Sequence, residues 1–323
     1  MCDAERHGSL FHDTSGPGGP MPPVAAWRIH LGAHKTATTH LQETLHAVRP
    51  ALVGRGVDPI PVAQFRPIWK RYARRRLLVS RSPITRLVYR VSEGRTTTAF
   101  LSALEGLRLG PSEVILSEEN ILGETAEAVG AFYADIGRRL RLLHPLQAIA
   151  PMHVFLCIRR TDEFMASVYA EALKHHAIHG PFEEANSTLL DDPPRWTDIV
   201  AEIRAALPQA CLTVWRYEDY RANAAAITGA LCGVDPGPLP RIARPRRTMS
   251  PAAEAVRAAE ALPDGPGRKA EVARLYAAAP ASAAHPAFRP FDPRRTARFR
   301  DAYRDDCAAL DRQGCLMNFP SSP

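Results

Sequence analysis

Between a short apolar run, Trp27-Arg28-Ile29-His30-Leu31, and an amphipathic run that begins at His40 lies the stretch Gly32-Ala33-His34-Lys35-Thr36-Ala37-Thr38-Thr39. These residue types suit one task, the holding of an anion. A loop leading from a strand into a helix presents free backbone N–H groups, and the helix dipole adds positive potential there. Gly32 lets the chain turn without a Cβ clash, and Lys35 supplies a point charge. Thr36, Thr38 and Thr39 can cap the helix and donate to phosphate oxygens. The ATP-type phosphate loop reads G-x-x-x-x-G-K-[ST]. Here His34 precedes the lysine and Gly32 stands too close to it, so this is a phosphate loop of another kind.

The elements that must position such a loop follow from periodicity. Leu41, Leu45 and Val48 recur at i, i+4 and i+7, one face of a helix, so the loop joins a strand to a helix. Further strands are predicted at Glu113 to Ser117, His153 to Ile158 and Leu212 to Tyr217. The second of these is almost unbroken in its apolar character, as a strand covered on both faces requires. Helices are predicted from Thr125 to Leu143, from about Asp162 to Lys174 and from about Ala224 to Leu231. Strands alternating with helices predict an α/β fold, a three-layer parallel sheet flanked by helices. The C-terminal third is Ala- and Arg-rich and helical in character, with a Pro-rich interruption from Pro280 to Pro293. Residues 1–25, rich in Gly and Pro, are expected to be a flexible tail, and 26–323 a single domain.

From Ile29 to Gln42 the sequence resembles the 5′-phosphosulfate loop of sulfotransferases, the enzymes that use 3′-phosphoadenosine 5′-phosphosulfate (PAPS). It is most similar to the bacterial sulfotransferase-like group, whose loop reads roughly I-H-x-G-x-H-K-T-G-T-T-x-L-Q. The resemblance implies a P-loop-type sheet, PAPS as cosubstrate without a metal, and contacts to it from Gly32, Lys35, Thr36, Ala37, Thr38 and Thr39. One departure is Ala37, where the family usually has Gly; if that position is left-handed, binding is weakened. The family's 3′-phosphate motif, a strand ending in Arg with Ser eight residues later, fits Arg159 and Ser167. An Arg at the carboxyl end of a strand enters the ligand crevice of an α/β sheet, where its planar fork can grip a phosphate. The alternative for Arg159 and Arg160 is pairing with Asp162 or Glu163 at a helix start. The similarity extends through Arg216-Tyr217-Glu218-Asp219, read as structural. Arg246 to Pro251 is either a basic loop near the nucleotide or a solvated turn.

Sulfuryl transfer to an alcohol needs little covalent help. Lys35 would stabilise the leaving oxygen and the sulfuryl oxygens, and a general base would take the acceptor proton. The family-like pattern S-x-E-N selects Glu119 of the adjacent pair Glu118-Glu119, in which mutual repulsion can raise one pKa. His34 is the rival, and other residues, Asp58 among them, stay open. Glu118-Glu119 reads otherwise as a helix cap. His175, His176 and His179 cluster without an evident third ligand and are read as surface or acceptor-site residues. Two other functions compete: a kinase with Lys35 on ATP and Glu118 near magnesium, opposed by the missing G-K-[ST] triplet, and a non-catalytic nucleotide or glycan binder, motivated by Ala37.

The 323 residues are 46% apolar and 23% charged, ordinary for a globular chain and long enough for a full core. That excludes a disulfide-dependent miniprotein, a fibrous repeat and a wholly disordered chain. No apolar run is long enough to span a membrane, and no apolar leader opens the sequence. The six scattered cysteines form no C-x-x-C pair, which predicts free thiols and a reducing, cytoplasmic setting. The net charge of +7 is local: nine Arg and Lys residues and no Asp or Glu lie between Phe65 and Arg90. That segment is a solvated helical face, a cleft wall for a hydroxylated, anionic acceptor such as a glycan, or a peripheral contact with anionic lipid. Nucleic acid is not expected, since no nucleic-acid module is present.

Overall fold

The structure, a computed structural model, describes residues 21–81, 85–175, 178, 180–235, 237–239 and 250–319. Five strands form one parallel sheet: β1 (Ala26–His30), β2 (Val57–Pro59), β3 (Glu113–Ser117), β4 (Met152–Ile158) and β5 (Cys211–Arg216), in the order β2-β3-β1-β4-β5. Register sets Ile29 beside Leu116 on one side and Val154 on the other, so β1 is central. Four strands fall where the apolar runs placed them, to within a residue or two. β2 is only three residues long and ends on Pro59, too short a run for periodicity to reveal.

The period of two along the strands sorts the core onto two faces. Leu41, Leu45, Val48 and Leu52 of α1 (Thr38–Val53) pack on one face, against Ile115, Phe155, Cys157 and Trp215. The opposite face carries Ile29, Leu31, Leu116, Leu156 and Val214. Helices α2 (Val62–Arg81), α3 (Thr85–Glu105), α4 (Thr161–Ala172) and α5 (Trp196–Ala206) cover it, through Phe65, Trp69, Phe100, Phe164 and Trp196 among others. Helix α6 (Tyr217–Cys232) returns to the first face with Ile227 and Leu231. These are the three layers predicted, and covering on both faces is what makes β4 almost wholly apolar.

The C-terminal region supplies α7 (Ala253–Glu260), α8 (Arg268–Ala278) and α9 (Pro293–Arg312). The Pro-rich stretch before α9 lies between helices and is pinned by isolated bridges, Pro251 with Pro280 and Ala252 with Ala287. Asp306 of α9 is buried and accepts from the Arg195 guanidinium, the Trp196 N–H and the Thr197 hydroxyl, tying α9 to the start of α5. One predicted helix is broken. Within 125–143 the α-helix is confined to Thr125–Ala128 and Ile136–Leu140, the latter running into a 3-10 turn at Arg141–Leu143, because Gly130, Phe132 and Tyr133 take positive φ between the two.

In this strand order the chain leaves β1 toward β2 and leaves β4 toward β5, in opposite directions. The carboxyl ends of β1 and β4 therefore flank the crevice where α/β sheets bind ligands. Among the described residues, no helix is long and apolar enough to cross a membrane, and the five described cysteines form no disulfide.

Candidate functional site

The loop after β1 is held at both ends. Its start stays in register with β4: the Leu31 N–H donates to the Phe155 carbonyl at 2.9 Å and the Ala33 N–H to the Cys157 carbonyl at 3.0 Å. Gly32 has φ +97°, and a Cβ there would lie 2.9 Å from the Glu119 Cβ, so only glycine fits. Lys35 and Ala37 are also left-handed, at φ 58° and 64°. Ala37 is the N-cap of α1 and its backbone, not its side chain, shapes the helix start. Thr36 is buried and donates its hydroxyl to the Ala33 carbonyl at 2.6 Å, closing the turn from inside. Thr38 and Thr39 begin α1.

His34 is buried. Its backbone N–H donates to the Tyr133 oxygen at 3.3 Å, and its Nδ1 lies 2.7 Å from the same oxygen. The contact suits a neutral imidazole in either tautomer, and Nε2 is buried without a hydrogen-bond partner. Burial pushes its pKa down, with Glu119 opposing, and so favours that neutral form. The positive-φ break at Tyr133 is what turns the phenol toward the loop.

Lys35 turns to the other side. Its Nζ lies 3.0 Å from Glu171 Oε2 on α4, and Lys174 Nζ reaches the same oxygen at 3.0 Å. Burial pushes the Lys35 ammonium below its usual range while Glu171 opposes the shift. Burial would raise the Glu171 carboxyl, but the two lysines outweigh it and hold it at about 2. Arg159, where β4 ends, donates to the Lys35 carbonyl at 2.9 Å and lies 4.5 Å over the Tyr217 ring. It also faces Glu163 at 3.4 Å, so the helix-start pairing weighed from the sequence is present beside the contact with the loop. Arg159 Nε is buried without a hydrogen-bond partner. Lys35, Arg159 and Ser167 line one pocket of about 230 Å³, together with Glu163, Glu171 and Lys174.

Glu118 and Glu119 lie on the β3 side of the loop, outside that lining. Arg66 of α2 forks across both, at 2.6 Å to Glu118 and 2.8 Å to Glu119. Glu118 is fully buried, caps the turn that follows by accepting the Asn120 N–H, and has its pKa raised by burial and by Glu119. Burial works against the charge on Glu119 too, but Arg66 foremost outweighs it and holds this carboxyl below its usual range. The second Glu119 oxygen accepts from Gln42 of α1 at 3.1 Å. The like-charge pair thus splits as expected, with Glu118, not Glu119, as the raised member. Asp58 is buried at β2 on Arg49 and the Leu109 N–H, away from the loop.

Four residues of this site carried no sequence signal strong enough to single them out. Glu171 lies one turn beyond Ser167 on the same face of α4, a spacing legible only once that face is known to meet Lys35. Tyr217, in the segment read as structural, supports the Arg159 guanidinium. In the same segment Glu218 accepts the Arg160 N–H at 2.9 Å and the Tyr303 hydroxyl at 2.8 Å. Arg66 belongs to the basic segment and is the counterion of the carboxylate pair. Of that segment, Lys70 pairs with Glu124 and Arg76 with Glu93, while Arg71, Arg74 and Arg75 are exposed on the outer face of α2. The side chains of Arg81, Arg86, Arg90 and His175 lie outside the described structure, as do His176, His179, Arg246 to Met249 and most of the expected tail, residues 1–20. Among the described residues no cluster of three or more His, Cys, Asp or Glu side chains could hold a metal ion. Set against family models, curated proteins and solved structures, the chain finds no match.

Proposed function

We propose that this chain is a sulfotransferase that moves a sulfuryl group from PAPS to a hydroxyl of a carbohydrate or other small acceptor, in a reducing compartment such as the cytoplasm. The observation that carries this reading is the meeting of Lys35, Arg159 and Ser167 in one pocket at the crevice between β1 and β4. They are 124 and 132 residues apart in pairs with Lys35, and the sheet order alone unites them.

In this reading the α1 N-terminus, Lys35 and the threonine loop take the 5′ phosphosulfate, and Arg159 with Ser167 takes the 3′-phosphate. Lys35 carries a compact charge that can follow the leaving oxygen as it becomes negative. The proton of the attacking hydroxyl passes to Glu119, which stays ionised at neutral pH beside Arg66. Neutral His34 is the second candidate for that step. The reading supported next best is a nucleotide binder without turnover, favoured by the alanine in the left-handed N-cap position. The kinase reading has less behind it, because the G-K-[ST] triplet is missing from the loop.

Calorimetry with 3′-phosphoadenosine 5′-phosphate, against ADP as control and without added metal, tests the assignment. The bisphosphate should bind about tenfold or more tighter than ADP, and Arg159→Ala should erase the difference. Equal binding of the two nucleotides, or none, would remove the sulfotransferase reading.

A further inference from the structure

Helix α2 is covered on one side only. Phe65, Trp69, Tyr72 and Ala73 are buried in the core beneath it, while Gln64, Pro67, Lys70, Arg71, Arg74 and Arg75 are exposed along the other side. Arg71, Arg74 and Arg75 stand at i, i+3 and i+4, so their guanidinium groups share one patch. Like charges at that spacing destabilise a helix. Nothing in the fold offsets this, because none of the three makes an ion pair, hydrogen bond or ring contact among the described residues. The acids that reach α2 are engaged by other cations. Glu118 and Glu119 are held by Arg66, Glu124 by Lys70 at 3.1 Å, and Glu93 by Arg76.

The patch reads charge and nothing else. Trp69 and Tyr72 are buried, so no ring of α2 is open for a base to stack on. No large apolar side chain described on α2 is exposed, so the anchor that centres a protein interface is missing. The pocket at the sheet crevice takes no lining residue from α2. A convex patch of guanidinium groups without groove, ring or apolar anchor suits a broad layer of negative charge. A leaflet with anionic headgroups is such a layer, and each Arg brought near it adds attraction. With its apolar side taken up by the core, α2 would rest on the headgroups without entering the acyl chains.

We propose that Arg71, Arg74 and Arg75, on the outer face of α2, dock the protein on an anionic membrane surface. The docking is independent of what the pocket binds. Flotation with vesicles of phosphatidylcholine containing about one-third phosphatidylglycerol tests it. The wild type should float with these vesicles and not with pure phosphatidylcholine, and the bound share should fall as salt is raised.

Arg71→Gln/Arg74→Gln/Arg75→Gln should weaken the partition about a hundredfold, each charge counting for about fivefold. Gln keeps the helix propensity, and the three positions are exposed, so the fold should be kept. Arg294→Gln/Arg298→Gln/Arg312→Gln removes three charges from exposed positions on α9 and should float as the wild type does. No flotation of the wild type overturns the docking, and so does an equal loss in the two triple variants, which would make it an effect of net charge alone. Heparin is the competing probe. If heparin holds the wild type, but not the α2 variant, at a salt concentration where the vesicles have released it, the face belongs to a soluble polyanion and the membrane assignment falls.

Discussion

Ala37 holds a left-handed backbone, φ 64° and ψ 22°, that costs an L-residue with a Cβ about 1 kcal/mol or more relative to glycine. Glycine returns part of this through the greater freedom of its unfolded chain, roughly 0.4–1 kcal/mol. The strain is the larger effect here, offset in part by the partly buried contact of the Ala37 methyl with the core beneath α1. Ala37→Gly should therefore stabilise the protein, raising its thermal midpoint by about 1–2 °C, and relax the loop into its binding shape. A lower midpoint on differential scanning would show that the loop does not need the left-handed form. At this scale the sequence was informative where residue type dictates backbone. Gly32 could be read as a special position because Cβ sterics are local, whereas Ala37 stood out only through the resemblance. The partners of Lys35, Glu119 and His34 could not, because Glu171, Arg66 and Tyr133 reach them from segments tens of residues away or more.

Helix α4 lines the pocket, and Glu171 is the group on it that competes for Lys35. Replacing Glu171 by Gln removes one negative charge beside Lys35, Lys174 and Arg159 but keeps the side chain's size. At pH 7 an anionic nucleotide should then bind about tenfold tighter, since it no longer displaces a carboxylate. The gain shrinks at alkaline pH. Burial lowers the Lys35 pKa and Glu171 opposes that, so the variant's lysine loses its proton earlier as pH rises. Titrations at pH 7 and pH 9 should show the gain at the first and its decay at the second. A variant that binds no tighter at pH 7 would mean that Glu171 does not compete with the ligand. The elements themselves were largely legible, since strands covered on both faces are apolar runs and α1 repeats its leucines. The break at Gly130–Tyr133 was not, for its positive φ values fall on Phe and Tyr, which give no turn signal. Nor was the true start of α6. Tyr217 to Asn223 lies on the helix, with a kink at Asn223 that cut the visible period short.

For the whole molecule, the buried histidines set the response to acid. His30 stacks on Trp215 in the sheet interior, and burial lowers its pKa to about 4. His153 stacks on Phe155 and meets the Thr213 hydroxyl at 2.8 Å, and burial, aided by Arg28, lowers its pKa to about 4 as well. In the unfolded chain both titrate near 6.5, so between pH 6.5 and 4 the unfolded state binds protons that the folded state refuses. Stability then rises with pH across that window and falls as the solution is acidified. Each such histidine contributes a slope of about 1.4 kcal/mol per pH unit. Glu171, held at about 2, adds its loss only further down, below the ordinary carboxylate range. Sheet-wide unfolding followed by denaturant titration at pH 7, 6, 5 and 4.5 should show an uptake of at least two protons, His34 adding to it in the same direction. His153→Gln should lower that slope by about one proton while keeping the fold, because a glutamine amide at this half-buried position does not titrate. An unchanged slope in the variant would mean that His153 accepts its proton in the folded sheet, and that the acid limit of the molecule lies in its carboxylates instead.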